Sequence, residues 1–211
     1  MTKKKINILV FFLFIFFNLS NYNYIRYIDE NQVNIIEFNK IKNILIEKTQ
    51  YYIDSIAKGH LIDASYYINI ALDYELDLCL MLAQAQIESH FGTAGIAKRT
   101  YNIYNIGNTD SGSYNIIHKN DIHHGIYVYA KLLKERYLVN KTTKDLLNNF
   151  VCHKGHRYAS ALDYEFKLSS LIKKIRYNTD IDKLYKQLIQ IQTCITESTN
   201  TKKDFLNLQK K

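Results

Sequence analysis

The chain has no proline and only three cysteines among its 211 residues. Without proline there is no proline-rich linker, and neither internal repeats nor a separate binding module divides the sequence. Three cysteines are too few, and odd in number, for a disulfide framework. Once a short N-terminal segment is set aside, the remainder is long enough to form one domain with a sizeable core.

The charge balance is basic, with a net charge of +8 and an isoelectric point near 9.2. A basic protein suits an anionic partner such as a cell-wall polymer, a membrane surface or a nucleic acid. The lysines are scattered, however, and the pairs Lys173-Lys174 and Lys202-Lys203 are typical of solvated helix and tail positions. No helix-turn-helix, zinc-finger or RNP motif is present, so we expect no nucleic-acid partner.

The N-terminus has the order and length of a signal peptide. Lys3, Lys4 and Lys5 precede an apolar run from Ile6 to Phe17 that only Asn7 interrupts. The run is shorter than the roughly 20 apolar residues of a transmembrane helix. No A-x-A cleavage site follows, so residues 1–20 are either a cleaved signal peptide or a membrane anchor, and a buried core helix is a third possibility. Either of the first two predicts an exported protein.

An apolar run from Leu76 to Ile87 leads to a single acidic residue, Glu88. Asp77 is a suitable helix cap and Gly92 a suitable stop, so we predict a helix over Leu78–His90. Glu88 falls in its last turn and leans toward the inward face. Burial and the negative end of the helix dipole both disfavour the carboxylate, so we expect a raised pKa.

A carboxylic acid held protonated near neutral pH can protonate a glycosidic leaving oxygen. The alternative is that Glu88 is a surface glutamate that closes an ordinary helix. The segment Thr100–Gly112 favours the first reading, because it is rich in the asparagine, glycine and tyrosine that form loops and polar binding walls.

Two sequence blocks carry a resemblance to a known family. The first comprises Ala83–Thr93, Ile96-Ala97 and Tyr101–Gly107, and the second comprises Asn149–Val151, Gly155–Ser160 and Tyr164. Together, over residues 62–176, they resemble the peptidoglycan glucosaminidases of glycoside hydrolase family 73, which include flagellar glucosaminidases and mannosyl-glycoprotein endo-β-N-acetylglucosaminidases.

The resemblance implies a monomeric enzyme that needs no cofactor or metal. It would cut peptidoglycan glycan strands at N-acetylglucosamine β-1,4 linkages, with Glu88 as catalytic acid and Tyr158 as active-site tyrosine. The candidate substrate-binding residues are Gln84, Ser89, Asn102, Tyr104 and Asn105. A metal site built from Cys152, His153, His156 and the pair His123-His124 is the less favoured alternative, because the spacing is not a standard zinc pattern.

The second catalytic carboxylate is where the sequence departs from the family. Many members carry it in a T-x-E context, whereas here only Asp110 and Asp121 lie between Gly107 and Gly125. Either aspartate could act as base for a water, with Asp110 the chosen candidate, which would give inversion at a carboxyl separation of about 6.5–9.5 Å. The substrate's own N-acetyl group is an alternative nucleophile. If no water attacks, the enzyme would instead be a lytic transglycosylase, which releases a 1,6-anhydro product.

A wall-binding protein that kept the fold without activity is the non-enzyme alternative. The short β-lobe favours it, while an unpaired buried acid at Glu88 is a poor structural choice and argues against it. Whether a bacterium or a phage encodes the chain is left open by the sequence.

The predicted fold class is α+β, mostly α, a lysozyme-like helical domain with a small β-hairpin lobe over a cleft. The domain is expected over residues 30–195, followed by a loose polar tail over 196–211. A hairpin over Gly107–His124 includes a strand at Tyr114–His118. The predicted helices are Asn34–Lys58, Ile62–Tyr74, Leu78–His90, Ala94–Arg99, Ile126–Tyr137, Thr143–Val151, Ala161–Arg176 and Ile181–Ile195.

Overall fold

The computed structural model describes residues 31–108 and 117–208. It divides into two compact units. Residues 42–186 belong to the larger unit, and the described parts of the smaller unit are residues 31–41 and 187–208. All of the site residues discussed below belong to the larger unit.

The described chain is mostly helical. The helices are α1 (residues 31–56), α2 (Ala64–Asp73), α3 (Leu78–Ser89), α4 (Ala97–Thr100), α5 (Ile122–Leu132), α6 (Thr143–Asn148), α7 (Tyr164–Asn178) and α8 (Ile181–Leu208). A π-helical turn, Leu133–Tyr137, continues α5 without a break. The mostly helical prediction is therefore confirmed.

The β-hairpin is the part of the predicted fold that the structure does not show. Its tip, residues 109–116, lies outside the described residues, and residues 117–121 form no strand. Asp121 instead caps α5, which begins at Ile122, earlier than predicted. Among the described residues the β-structure is a single antiparallel bridge between Val151 and Arg157.

The last helix was predicted to end at Ile195, and this boundary is wrong because α8 continues to Leu208. The sequence offers no signal for an earlier end, since it contains neither glycine nor proline after Gly155. The predicted loose tail is thus helical over most of its length.

Helix α3 forms the centre of the larger unit. Every residue from Leu78 to Ala85 is buried, so this helix is apolar on all sides rather than amphipathic. Helix α7 packs along it, and α2 and α5 pack against each other nearby. Glu88 lies in the last turn of this buried helix, at the wall of a cleft.

No helix in the described ranges combines the length and apolarity needed to cross a membrane. The predicted signal peptide or anchor, residues 1–20, lies outside the described residues.

Candidate active site

Helix α3 begins as its sequence predicts. The side chain of Asp77 accepts a hydrogen bond from the backbone N–H of Leu80 at 3.1 Å, which caps the first turn. The far end differs from the prediction, because the helix ends at Ser89 and the left-handed turn begins at His90, before Gly92. His90 and Phe91 have positive φ values of 45° and 56°.

Gly92 is nevertheless required at its position. Its φ is +84°, and a Cβ atom there would lie 2.9 Å from the side chain of Ile103. The hydroxyl of Ser89 donates to the carbonyl of Ile103 at 2.7 Å and accepts from the N–H of Gly92 at 2.9 Å. Ser89 thus holds the turn after α3 against the loop that contains Asn105.

Glu88 is half-buried and is held by two neutral side chains. The hydroxyl of Tyr164, the first residue of α7, donates to Oε1 at 2.8 Å. The amide of Asn105 donates to Oε2 at 3.2 Å and to the backbone carbonyl of Glu88 at 2.8 Å. Asn105 takes a left-handed conformation, with φ 51°, that asparagine tolerates better than most residues. Within the described residues, no lysine or arginine forms an ion pair with Glu88.

The pKa of Glu88 is raised above its ordinary value, and burial is the cause. The hydrogen bonds from Tyr164 and Asn105 favour the carboxylate and oppose this shift without cancelling it. The direction of the pKa shift predicted from the sequence is confirmed.

A chain of buried hydrogen bonds lies behind Glu88. The hydroxyl of Tyr129 donates to Oε1 of Gln84, and Nε2 of Gln84 donates to the hydroxyl of Tyr164 at 2.9 Å. Tyr164 in turn donates to Glu88. The ring of Tyr129 stacks on Tyr104 at a centroid distance of 3.5 Å. These contacts fix the rotamer of Tyr164 and therefore the position of the Glu88 carboxyl group.

Glu88 opens into a cleft of about 850 Å³. The cleft is lined by Ile87, Glu88, Asn105, Ile106, Gly107, Asn108, Leu132, Arg136, Tyr137, Arg157, Tyr158, Ala159, Ser160, Ala161, Tyr164 and Lys167. A volume of this size is in the range of ligand-binding clefts. Apart from Glu88, the charged residues in this lining are basic.

The structure brings two further predicted residues to the cleft. Asn105 faces it beside Glu88, and Tyr158 lines it while donating to the carbonyl of Tyr104 at 2.6 Å. Burial raises the pKa of Tyr158, so this tyrosine stays protonated.

Four other predicted residues lie behind the cleft wall. Gln84, Asn102 and Tyr104 have no exposed surface, and Ser89 is 2% exposed. Asn102 bonds both the N–H and the carbonyl of Ile106, at 3.1 and 3.0 Å, which shapes the loop after α4. In this structure the four side chains contact other parts of the fold and not the open cleft.

The second carboxylate is not among the described cleft residues. Asp110 lies outside the described ranges. Asp121 caps α5 by accepting from the N–H of His124 at 2.6 Å and does not line the cleft. Glu88 is therefore the sole carboxylate in the described lining.

Sequence reasoning did not single out four residues that the structure places in the cleft: Tyr164, Arg136, Arg157 and Lys167. Tyr164 belongs to the second sequence block, which was a usable signal. Arg157 also belongs to that block. Arg136 and Lys167 are not marked by any local pattern, because the π-helical turn after α5, the loop before α7 and α7 itself bring the three basic residues together only in the folded chain.

The histidines and Cys152, considered above as metal ligands, do not form a cluster in the described chain. The ligand atoms that do lie within 4.8 Å of one another belong to Asp77, Cys79 and Asp182. The guanidinium of Arg176 contacts Asp77 at 2.6 Å and Asp182 at 3.2 Å. This group is therefore an ion-pair network.

Comparison with known families gives one match. The family model described as Glucosaminidase, mannosyl-glycoprotein endo-beta-N-acetylglucosaminidase, matches residues 64–189, which is more than half of the chain. The matched range includes Glu88, Asn105, Tyr158 and Tyr164. A search of curated proteins finds no match.

Proposed function

The chain belongs to the glucosaminidase family, and on that premise we propose that it hydrolyses the glycan strand of peptidoglycan at N-acetylglucosamine β-1,4 linkages. Family membership supports a cell-wall glycan hydrolase in general. The observation that carries the finer proposal is a half-buried glutamic acid with a raised pKa and no cationic partner among the described residues, in the wall of a cleft.

Glu88 acts as the general acid. Its proton passes to the glycosidic oxygen as the bond between that oxygen and C1 breaks, so the leaving sugar departs as a neutral alcohol. One water adds its oxygen to C1 and gives up a proton to the catalytic base, and Glu88 regains its own proton from solvent. Tyr158, protonated and fixed by its bond to Tyr104, lies along the same cleft and contacts the sugar near the scissile bond.

Buried side chains support this acid without touching substrate. Gln84 orients Tyr164, and Ser89 and Asn102 hold the turns on either side of Asn105. The backbone carbonyl of Tyr104 accepts the hydrogen bond that fixes Tyr158. In this proposal they are positioning residues, because each acts through another side chain or loop.

Asp110 is the proposed base for the attacking water. In that case, an Asp110→Asn variant loses hydrolysis while it retains binding to the glycan. If the substrate's N-acetyl group is the nucleophile instead, Asp110→Asn keeps most of the activity. Product stereochemistry separates the two routes, since direct attack by water inverts the configuration and the N-acetyl route retains it.

A lytic transglycosylase is the second candidate. It is favoured by the single carboxylate in the described lining, because intramolecular attack needs one acid and no water. The same Glu88 would donate the proton, and the product would end in 1,6-anhydro-muramic acid. Since peptidoglycan lies outside the cytoplasm, both candidates agree with export directed by residues 1–20.

Digestion of purified peptidoglycan by the full chain tests the proposal. We expect new reducing N-acetylglucosamine ends by mass spectrometry, and none from the Glu88→Gln variant. Glu135→Gln is the matched control, since this residue is a surface glutamate outside the cleft. The loss for Glu88→Gln should reach about 10²–10⁴-fold, the usual contribution of a general acid.

The remaining outcomes decide between the alternatives. Anhydro ends from the wild type alone would assign the chain to the lytic transglycosylases. Undiminished cutting by Glu88→Gln would overturn the role of Glu88. No products from either protein would favour a wall-binding protein without activity.

A further inference from the structure

We propose that Arg136 determines substrate specificity by binding a carboxylate of the glycan substrate, so that the cleft selects acidic glycans over neutral ones. The proposal rests on the proposed function, because it concerns the same cleft. The carboxylate comes either from the lactyl group of a muramic acid or from the peptide attached to it.

Arg136 sits on an interruption of regular helix geometry. The π-helical turn Leu133–Tyr137 is closed by a hydrogen bond from the N–H of Leu138 to the carbonyl of Leu133 at 2.9 Å. Leu133 and Tyr137 are buried, while Arg136 is exposed and lines the cleft. Single π-helical turns are rare and occur frequently at functional sites.

The backbone at Arg136 is held by the loop between α6 and α7. The backbone N–H of His153 donates to the carbonyl of Arg136 at 2.8 Å, and its ring Nδ1 lies 3.0 Å from the same oxygen. In the tautomer protonated at Nδ1 the ring donates a second bond. The loop before α7 thus fixes the point from which the Arg136 side chain extends.

The three basic residues of the cleft differ in their partners. Arg157 pairs with Glu165 at 2.9 Å, and Lys167 pairs with Asp163 at 2.8 Å. Arg136 pairs with no carboxylate in the described part of the chain. It is therefore the basic residue of the lining whose charge is available to a ligand.

A carboxylate is the ligand chemistry that suits this position. The guanidinium group is planar, always charged and presents paired N–H donors that match the two oxygens of a carboxylate. Glu88 in the same lining is bonded by Tyr164 and Asn105, and among the described residues it forms no ion pair with Arg136. A neutral glycan such as chitin offers hydroxyl and amide groups but no carboxylate.

Binding measurements in the Glu88→Gln background test the proposal, because the inactive protein leaves its probes intact. Three probes of equal length separate the sources of the carboxylate: a peptide-bearing peptidoglycan strand, a peptide-free strand with free lactyl carboxylates, and a neutral chitin oligomer. We expect tighter binding of at least one acidic probe than of chitin. Adding Arg136→Gln should weaken that binding about tenfold and change chitin binding less than about twofold.

Two control variants test whether the effect is specific to Arg136. One tests the loss of a positive charge elsewhere on the helix, and the other tests the need for the paired donors of the guanidinium group. Lys131→Gln removes one positive charge from the same helix at an exposed site outside the cleft, and should change each affinity by less than about twofold. Arg136→Lys keeps the charge without the paired donors, so it should recover part of the lost affinity. The acidic probe that loses affinity identifies lactyl or peptide carboxylate as the ligand.

The proposal is overturned by equal weakening for chitin, by no weakening for either acidic probe, or by no preference for acidic probes in the parent protein. A parent that binds none of the three probes also overturns it. Failure of the proposed function is recognised separately, by peptidoglycan cutting that persists in Glu88→Gln. If Glu88→Gln is inactive and Arg136→Gln binds normally, only the role of Arg136 is wrong.

Discussion

The two ends of helix α3 hold carboxylates of the same chemistry in opposite surroundings. At the start, Asp77 caps the helix and pairs with Arg176 at 2.6 Å. At the end, Glu88 receives bonds only from the neutral groups of Tyr164 and Asn105. Helix α7 supplies a partner to each, with Tyr164 at its start and Arg176 near its end, so the two helices run antiparallel.

The difference between these ends separates an acid that serves the fold from the acid proposed to react. Asp77 is paired with the Arg176 guanidinium and caps the first turn, so its contacts serve the fold. Neutral donors beside Glu88 position the carboxyl group, and burial raises its pKa and so favours the protonated form. An acid that is held in place but not neutralised by a cation is what proton donation requires.

The strongest way to break this comparison is to give Glu88 a cation. Asn105→Lys places an ammonium group where the amide now contacts Oε2, so we expect the pKa of Glu88 to fall. The cleavage rate at neutral pH should drop by about 10²-fold, because less of the general acid is protonated. Peptidoglycan turnover as a function of pH measures the effect.

Asn105→Gln is the control for this change, since it carries the same left-handed backbone strain and stays neutral. It should lose much less activity than the lysine variant. Equal losses in the two variants would mean that the geometry at residue 105 matters and the charge does not.

Removing the hydroxyl of Tyr164 tests the opposite change, the loss of a neutral donor to Glu88. Tyr164→Phe takes a donor from Glu88, and since that bond favours the carboxylate, the pKa of Glu88 should rise further. We expect kcat to fall about tenfold and the alkaline limb of the pH profile to move to higher pH. A lower rate with an unmoved alkaline limb would contradict this role.

At the other end of the helix, Arg176→Gln should affect stability and leave chemistry unchanged. It leaves Asp77 and Asp182 facing each other without their common cation. Because the network is partly exposed, we expect a loss of about 1–2 kcal/mol in the free energy of unfolding. Urea denaturation measures the loss, and kcat of the folded fraction should stay within about twofold of wild type. A large fall in kcat would show that the two ends are coupled.

The smallest expected effect is a pH-dependent stability difference between wild type and Glu88→Gln. The pKa of Glu88 in the folded state is raised, so the folded protein binds this proton more tightly than the unfolded chain does. The contribution of Glu88 to the stability of the wild type therefore falls as the pH rises from the pKa of this group in the unfolded chain through its pKa in the folded protein. Glu88→Gln lacks this loss, so its stability relative to wild type should increase across that window in urea titrations. A pH-independent difference would argue against a raised pKa.

Sequence patterns were sufficient for features that depend on neighbours along the chain. The cap at Asp77, the helix that follows it and the inward lean of Glu88 all rest on helical spacing and were confirmed. The end of α3 was misplaced because His90 takes the left-handed conformation that glycine more commonly supplies.

The contact between Tyr164 and Glu88, and the presence of three basic residues in one cleft, could not be predicted from the sequence. Tyr164 is 76 positions from Glu88 and meets it only because α7 packs antiparallel to α3. Arg136 reaches the cleft on a π-helical turn, which regular helical periodicity does not reveal. The second carboxylate, proposed as Asp110, falls in residues outside the described ranges.

A direct titration of Glu88 is the most decisive measurement. The carboxyl carbons of the glutamates can be followed by NMR as a function of pH, and the Glu88→Gln variant identifies the signal of Glu88. We predict a pKa clearly above the value of about 4.3 for an unperturbed glutamate. A pKa at or below that value would mean that Glu88 is an ordinary carboxylate and would contradict its proposed role as the proton donor.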